Sequence, residues 1–247
     1  MENEVSKIFG LRAVIEAINS GKTISKVFLQ KDLSGHLFSE LNTLIKKHNI
    51  ASSFVPVEKL NRLSKNSNHQ GVVAQTSAID FIDLEDLIAD TLEKNTTPLF
   101  LLLDKISDVR NFGAIIRTAE CTGVDGIIIQ KKGGAPVNGD TIKTSAGAVF
   151  KVPICKVDHI KDAVFYMQAS GIKVIAATEK TENTLYDVSF KEPCAIIMGS
   201  EDRGINPSIL KVVDDKAKLP LLGDIESLNV SVACGAFLYE AVRQRRS

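Results

Sequence analysis

The feature that most constrains the fold is a series of short, densely apolar segments after residue 98, each followed by a segment with helical periodicity. Apolar runs without polar alternation are typical of strands buried on both faces, which occur in parallel sheets covered by helices. We therefore predict an α/β domain with a mostly parallel sheet over residues 98–247. The predicted strands are Phe100–Asp104, Gly126–Gln130, Val152–Val157, Lys173–Thr178, Cys194–Gly199 and Ala217–Leu221. The predicted helices are Phe112–Cys121, Ile160–Ser170, Ser208–Val213 and Val230–Arg243.

Residues 1–78 predict a separate, smaller α/β unit, because helical and strand-like segments alternate there as well. The predicted helices are Ser6–Ser20, His36–His48 and Glu58–Ser64, and the predicted strands are Lys26–Gln30, Ser53–Val57 and Gly71–Thr76. Residues 79–97 combine acidic side chains with regularly spaced apolar ones. This pattern predicts an acidic, amphipathic helix that links the two domains.

Composition narrows the classes of protein that the chain can represent. Lys and Arg number 30 and Asp and Glu number 30, so net charge gives no indication of a polyanionic partner. Residues 1–80 carry a modest basic excess, with 10 Lys and Arg against 7 Asp and Glu. The longest purely apolar run, Leu99–Leu103, is far shorter than the ~20 residues that span a bilayer, and the first residues lack a signal-peptide pattern. We expect a cytoplasmic protein without a membrane partner.

The cysteines give no indication of a metal site or a redox motif. Cys121, Cys155, Cys194 and Cys234 are separated by 34, 39 and 40 residues. Zinc sites and thioredoxin-type motifs need closely spaced pairs, so we expect no bound metal. Free cysteines are usually buried, and we expect buried, reduced thiols.

Polar residues cluster where the first strand of the second domain is expected to give way to a helix, in the stretch DKISDVRNFGAIIRTAE (104–120). Asn111 suits the N-cap of that helix, and Gly113 allows backbone to approach closely. Arg117 follows on the helix, six residues after Asn111. By itself the stretch also fits an ordinary capped helix with a solvated arginine.

Two further polar stretches follow later strands. The stretch IIMGSEDRGINP (196–207) places Glu201 just after the strand that ends at Gly199, and it contains neither a phosphate-loop motif nor a dinucleotide fingerprint. The stretch LPLLGDIESLNVSVACGAFLYE (219–240) places Ser227 or Asn229 as the N-cap of an apolar helix. Each also fits a plain surface loop or a capped core helix. Because ligands of parallel sheets gather after the strand carboxyl ends, three such clusters together favour a ligand site.

Taken together, NFGAIIRTAE, IIMGSEDRGINP and LPLLGDIESLNVSVACGAFLYEAVRQRR resemble the three motifs of the SpoU (TrmH-type) branch of the SPOUT RNA methyltransferases. Their order and spacing match over residues 98–247. The front part, with IFGLRAVIEAI and NHQGVVAQ, is similar to the substrate-binding domain of RlmB-type enzymes, which methylate a guanosine 2′-hydroxyl of 23S ribosomal RNA. One difference precedes Asn111, where family members often carry Asp-Pro-His and this chain has Asp108-Val109-Arg110.

The resemblance implies both a fold and a cofactor. Residues 98–247 would form a SPOUT methyltransferase domain with a deep trefoil knot, residues 79–97 a linker helix, and residues 1–78 a small, ribosomal-protein-like RNA-binding domain. The loops after strands ending at Thr178, Gly199 and Leu221 would hold S-adenosylmethionine in a bent shape. The residues expected to contact its adenine and ribose are Thr178, Gly199, Leu219, Pro220 and Leu228.

The catalytic residues implied by the resemblance are Asn111, Arg117, Glu201, Ser227 and Asn229. In the family Arg117 would be the base, helped by an RNA phosphate, although arginine is effectively always protonated. Our hypothesis is that Arg117 clamps the phosphate and stabilises the attacking oxygen. Asn111 would position the hydroxyl or Arg117, and Glu201 would orient Arg117. Ser227 and Asn229 would shape the pocket, and no metal is required because the sulfonium already activates the methyl group.

The resemblance also implies partners. Family members are homodimers with the site near the two-fold interface, so the helix Val230–Arg243 is expected in the contact. The front domain would deliver ribosomal RNA, with Lys7, Arg12, Lys26 and Lys31 as candidate phosphate contacts. The alternatives are a tRNA ribose 2′-O-methyltransferase of the same branch and a non-catalytic RNA-binding relative. A nucleotide-binding oxidoreductase is disfavoured by the missing fingerprint.

Overall fold

The computed structural model describes residues 7–77, 79–224 and 227–246. Contacts divide the chain into two compact units, the first comprising the described residues up to Asp80 with 137–139, and the second comprising the remaining ones. Three parts of the sequence predictions fall outside the described residues: Ser6 at the start of the first helix, Ala78 at the predicted domain boundary, and Ile225 and Glu226 within the third motif.

The first unit is a four-stranded sheet in the order β1-β4-β2-β3, in which β4 runs antiparallel to β1 and β2, and β2 runs parallel to β3. Its elements are β1 Lys7–Phe9, α1 Leu11–Asn19, β2 Ile24–Gln30, α2 His36–Lys47, β3 Ser52–Val55, α3 Val57–Leu63 and β4 Val72–Thr76. Val27 of β2 and Val72 of β4 lie in the cluster with α1 and α2. Phe28 and Val73, one position along, lie in the cluster with α3, so helices cover both faces.

Two predicted elements in this unit need correction, and the predicted strand Lys26–Gln30 begins two residues earlier, at Ile24. The predicted helix Ser6–Ser20 is divided, because Lys7–Phe9 pairs with β4 and α1 begins only at Leu11. Gly10 between them has a φ of 95°, which interrupts both strand and helix. The predicted strand Ser53–Val57 ends at Val55, because Pro56 takes the N-cap position of α3.

The second unit confirms the predicted parallel sheet. Its six strands are all parallel, in the order β10-β8-β9-β5-β6-β7. The strands are β5 Leu99–Asp104, β6 Gly126–Gln130, β7 Ile154–Val157, β8 Lys173–Ala177, β9 Cys194–Gly199 and β10 Asp215–Ala217. The helices are α4 Leu84–Lys94, α5 Val109–Cys121, α6 Gly139–Thr144, α7 Ile160–Ala169, α8 Pro207–Leu210 and α9 Val230–Arg245, with a 3₁₀ turn at Ala148–Phe150. All six carboxyl ends therefore lie at one edge of the sheet.

Several sequence predictions for this unit need correction. The predicted helix Ser208–Val213 is instead Pro207–Leu210, and the predicted strand Val152–Val157 begins at Ile154. The last strand is Asp215–Ala217 rather than Ala217–Leu221, because the chain leaves the sheet before its apolar run. The helix α6 and the 3₁₀ turn after it are not predicted, since their sequences lack an apolar stripe. Cys121 is exposed, whereas the other three thiols are buried as expected.

The helix α4 packs into the core of the second unit. Leu87 and Ile88 are buried in one cluster with Ile128, Cys155 and other residues of the sheet and of α7. Asp83 caps the helix by accepting from the main-chain N–H of Glu85. The division of the chain into 1–78, 79–97 and 98–247 stays a prediction. Among the described residues no helix has the length and apolar character that crossing a membrane requires.

Candidate active site

A cavity of about 670 Å³ opens at the carboxyl ends of β8, β9 and β10. Its wall includes four of the residues expected to contact the cofactor and three of the expected catalytic residues. They are Thr178, Gly199, Leu219 and Leu228, and Glu201, Ser227 and Asn229. A cavity of this size at this edge of a parallel sheet is suited to a small-molecule ligand.

The wall of the cavity depends on a glycine at the end of β9. A Cβ built on Gly199 would lie 2.2 Å from both the Gly204 carbonyl carbon and the Ile205 nitrogen. Main chain therefore passes main chain at a distance that no side chain allows. The passing segment is closed on itself, because the Gly204 N–H donates to the Ser200 carbonyl at 2.8 Å. The segment that presents Glu201 is thus a tight loop packed on the strand end.

The three polar stretches meet at Asn111. Its Nδ2 donates to the Glu201 carboxylate, and its Oδ1 accepts from Asn229 Nδ2 at 3.1 Å. These residues are 90 and 118 positions away from Asn111 in sequence. The fold therefore joins the first, second and third stretches through side-chain hydrogen bonds of one asparagine.

A helix cap fixes the direction of these hydrogen bonds. Asn229 is the N-cap of α9, and its Oδ1 accepts from the main-chain N–H of Ser231 at 2.9 Å and from the Ser231 hydroxyl at 2.6 Å. With Oδ1 occupied as an acceptor, Nδ2 faces Asn111 and must donate. The Asn111 amide is then oriented too, so its Nδ2 points at Glu201. The chain of donors runs from Ser231 through Asn229 and Asn111 to the carboxylate.

Asn111 is not the N-cap of α5, contrary to the sequence prediction. Asp108 is the cap, because its Oδ1 accepts from the main-chain N–H groups of Arg110 and Asn111, both at 2.8 Å. A carboxylate is a strong acceptor and is favoured by the partial positive charge at a helix N-terminus. The earlier start of the helix leaves the side chain of Asn111 available for Glu201 and Asn229.

Arg117 stands apart from this cluster. It is exposed on α5, and in the part of the chain that the structure describes it has no hydrogen-bond or ion-pair partner. The expected contact in which Glu201 orients Arg117 is not observed, since Glu201 is bonded to Asn111 instead. Pro220, expected against the cofactor, and Arg117 are not among the described residues that form the cavity wall.

Sequence reasoning missed two residues that support the cluster. Asp108 and Ser231 both lie in the polar stretches, but neither is among the predicted site residues. The signal for Asp108 was present, because Asp and Asn stand three positions apart in Asp108-Val109-Arg110-Asn111 and either can cap a helix. The role of Ser231 in orienting Asn229 becomes visible only in the structure, where its hydroxyl donates to Asn229 Oδ1 at 2.6 Å.

The thiol of Cys234 on α9 is poorly suited to nucleophilic chemistry. Cys234 is buried, and the loss of solvation raises the pKa of its thiol to about 12. The group therefore stays protonated near neutral pH and behaves as a small apolar side chain. Burial raises the pKa of the Cys155 thiol to about 12 for the same main reason.

Comparison with protein families gives two matches that together cover most of the chain. The SpoU rRNA Methylase family matches residues 98–239. The RNA 2′-O ribose methyltransferase substrate-binding family matches residues 7–81. The two matches correspond to the second and the first structural unit, respectively.

One curated relative and two solved structures are similar to this chain over most of its length. A Bacillus subtilis protein named putative TrmH family tRNA/rRNA methyltransferase YacO is 32% identical over 99% of this chain and 98% of its own length. The structure of an AdoMet-bound rRNA methyltransferase from Sinorhizobium meliloti covers 98% of this chain and 88% of its own, at 24% identity and a TM-score of 0.62. The A. aeolicus TrmH/SpoU tRNA modifying enzyme covers 66% of this chain and 82% of its own, at 31% identity and a TM-score of 0.56.

Proposed function

Because the chain belongs to the SpoU rRNA methylase family, we propose that it transfers the methyl group of S-adenosylmethionine to a ribose 2′-hydroxyl of 23S ribosomal RNA, on a guanosine. The family matches and the curated relatives confirm the family and the enzyme class that the three motifs predicted. The observation that supports the proposed reaction most directly is the contact of all three motifs at Asn111, beside the cavity.

The cavity suits S-adenosylmethionine in both size and chemistry. Met198, Leu228 and Phe237 supply apolar surface for an adenine ring. Charges of both signs, with Glu179 and Lys180 among them, line the same cavity and match the carboxylate and ammonium of a methionine tail. When bound there, S-adenosylmethionine supplies a methyl group that is already activated towards attack by an oxygen. A named relative of known structure binds the same molecule.

The residues around the cavity have to align and stabilise the ribose oxygen. A hydroxyl attacks well only when its proton is removed or shared, and donors placed at the developing oxyanion lower the barrier. Asn111 is held from both sides, so it can present a fixed geometry to the hydroxyl. Glu201 anchors Asn111 and lines the cavity, and Ser227 and Asn229 shape the wall. Arg117, exposed and without a partner in the described chain, is available to clamp an RNA phosphate.

Two further parts of the proposal concern assembly. The first unit delivers the RNA, since residues 7–81 match a substrate-binding family and Lys7, Arg12 and Lys31 are exposed there. The active protein is a homodimer joined through α9. Val232 and Tyr239, seven positions apart on that helix, leave 57% and 56% of their surfaces exposed. An apolar stripe at helical spacing is well suited to a partner helix.

The decisive experiment is methyl transfer from labelled S-adenosylmethionine. Purified 23S ribosomal RNA lacking the modification and bulk tRNA are offered in parallel, with Arg117→Ala as the control variant. We expect label in ribosomal RNA only, lost in the variant. Label in tRNA would assign the protein to tRNA ribose methylation. Cofactor binding without label in either RNA would favour the non-catalytic relative.

A further inference from the structure

We propose that Asp104 is a positioning residue that holds the Glu201 loop, residues 199–206, in register with Asn111. The inference deepens the proposed function, on which its kinetic readout rests. Asp104 is the last residue of β5 and is only 3% exposed. Asp104 is not among the described residues that form the cavity wall. It therefore acts through the loop and not on a ligand.

Among the described residues, the carboxylate of Asp104 has one hydrogen-bond partner. Its Oδ2 accepts from the main-chain N–H of Asn206 at 2.8 Å, across 102 positions of sequence. A buried carboxylate is costly unless hydrogen bonds compensate it, so the bond must outweigh an unfavourable desolvation. A buried carboxyl group that bonds to main chain across 102 positions points to a role other than core packing.

Asp104 holds both ends of the Glu201 loop. In the sheet its main chain is in register with Gly199, where the loop begins. Its side chain binds Asn206, where the loop ends. Between these ends the loop packs through Ile205, which is only 2% exposed, and closes through the Ser200–Gly204 bridge. Without the Asp104 carboxylate, the exit of the loop would lose its hydrogen bond to the β5 strand end.

Asp104 is also linked to Asn111, the partner of Glu201 in the hydrogen bond between the two stretches. Immediately after it the chain turns sharply at Lys105, whose φ is 60°, and reaches Asp108, the cap of α5. That cap places Asn111. The carboxyl end of β5 is therefore connected to Asn111 through the chain that follows it, and to the Glu201 loop through sheet pairing and the Asn206 bond. A small shift of the Asn206 end would displace Glu201 from Asn111, and misplacement by about 1 Å can reduce turnover by about a hundredfold.

The chain contains a matched control for this bond. Asp125 Oδ2 accepts from the main-chain N–H of Leu99, also at 2.8 Å, at the amino end of the same strand. This second bond holds main chain in the same way but lies at the opposite edge of the sheet from the cavity. Loss of Asp125 should therefore reduce stability without changing the geometry of Glu201.

The test compares Asp104→Ala, Asp104→Asn and Asp125→Ala in the full-length protein. Turnover is measured at saturating S-adenosylmethionine and RNA, together with the urea midpoint and hydrogen exchange of amides in 199–206. We expect Asp104→Ala to lower kcat about tenfold to a hundredfold relative to Asp125→Ala, and to accelerate exchange in the loop. Asp104→Asn keeps an oxygen that can accept from the Asn206 N–H, so it should have most of the turnover that Asp104→Ala loses. If the negative charge itself were required, Asp104→Asn would be as impaired as Asp104→Ala.

Equal kcat in Asp104→Ala and Asp125→Ala, or unchanged exchange in residues 199–206, would overturn the inference. If Asp104→Ala does not fold, Asp104→Ser replaces it, because its shorter side chain loses the Asn206 bond without leaving an apolar group there. Failure of the proposed function is a separate outcome. If the wild-type protein transfers no methyl group, the exchange comparison between the Asp104 and Asp125 variants still decides whether Asp104 positions the loop.

Discussion

Asn111 can take only one orientation, because the cap of α9 fixes Asn229 and Asn229 in turn fixes Asn111. The site therefore depends on amide groups and not merely on polar residues. Replacing Asn111 by Asp keeps its shape and size but removes the donor to Glu201 and places two carboxylates together.

The first prediction is that Asn111→Asp lowers kcat roughly a hundredfold, because Glu201 is repelled from the position that the amide holds. Measured binding of S-adenosylmethionine should change much less, since Asn111 is not among the described residues of the cavity wall. Asn95→Asp, at a position where an amide also donates to a carboxylate, is the control and should leave kcat unchanged. Wild-type kcat in Asn111→Asp would refute the role of the amide.

Arg117 allows its two suggested roles to be separated. If it takes the proton, Arg117→Lys should retain some activity at high pH, because lysine releases its proton more readily than arginine. We predict that Arg117→Lys is as inactive as Arg117→Ala at every pH, since a lysine lacks the planar fork that grips a phosphate. The measurement is a pH profile of kcat for both variants. Activity of the lysine variant that rises with pH would favour proton transfer.

Gly199 carries a third prediction. Gly199→Ala forces the β9 end and residues 204–205 apart, so we expect a loss of about 1–3 kcal/mol in the free energy of unfolding. Binding of S-adenosylmethionine, followed by calorimetry, should weaken as well. Gly139→Ala is the matched control, because its Cβ would meet nothing within 4 Å. An alanine at 199 with wild-type affinity would show that the close approach is unnecessary.

At the residue scale, the family resemblance placed Asn111, Glu201 and Asn229 in one site, but it paired Glu201 with Arg117 instead of Asn111. Local pattern alone misassigned the α5 cap, since Asp108 and Asn111 both suit it and the choice depends on long-range partners of Asn111. Contacts across 90 or more positions leave no trace in local periodicity.

The elements of the second unit show where sequence patterns suffice and where they fail. The β5, β6 and β9 strands are apolar except for Asp104 and Gln130 at the ends of β5 and β6, because sheet and helices bury both faces. Their predicted bounds differ from the observed ones by at most one residue. The predicted strand at Ala217–Leu221 is misplaced, because Leu219 and Leu221 face the cavity instead of pairing in the sheet. An apolar run can therefore line a cavity, and stay partly exposed as Leu221 does, instead of forming a buried strand.

The fourth prediction concerns α9. The double variant Val232→Glu with Tyr239→Glu should convert a dimer into a monomer, because charges would face each other across the proposed contact. Each side chain is largely exposed in the single chain, so the stability of the protomer should change by only about 0.5 kcal/mol. Sedimentation equilibrium measures the mass.

Phe165→Glu provides the control for the α9 variant, since Phe165 is 49% exposed on α7. It should leave the mass unchanged. A wild-type protein that sediments as a monomer, or a double variant that stays dimeric, would contradict the proposed interface.

At the scale of the whole molecule, each of the two units buries apolar clusters of its own among the described residues. One cluster draws its buried residues from Val14 to Ala74, and another from Leu87 to Leu210. Alternation of helices and strands predicted both units from sequence. The strand order β10-β8-β9-β5-β6-β7 was not predicted, because the choice of neighbours depends on packing between residues far apart in the chain.

The fifth prediction is that a chain lacking residues 1–78 still folds and binds S-adenosylmethionine, since the second core closes without them. Methylation of ribosomal RNA should be abolished, because the unit proposed to deliver the RNA is missing. Calorimetric binding and the methyl-transfer assay measure the two effects. Full RNA methylation by the shortened chain would show that the first unit is dispensable.

The directed chain of hydrogen bonds from Ser231 to Glu201 also has an evolutionary consequence. An aspartate at 229 would still cap α9 but could not donate to Asn111, and an aspartate at 111 would repel Glu201. Position 201 needs only an acceptor, whereas positions 111 and 229 each need both a donor and an acceptor. Selection would therefore treat the two amides as one inherited character, and descendants of this gene should keep or replace Asn111 and Asn229 together.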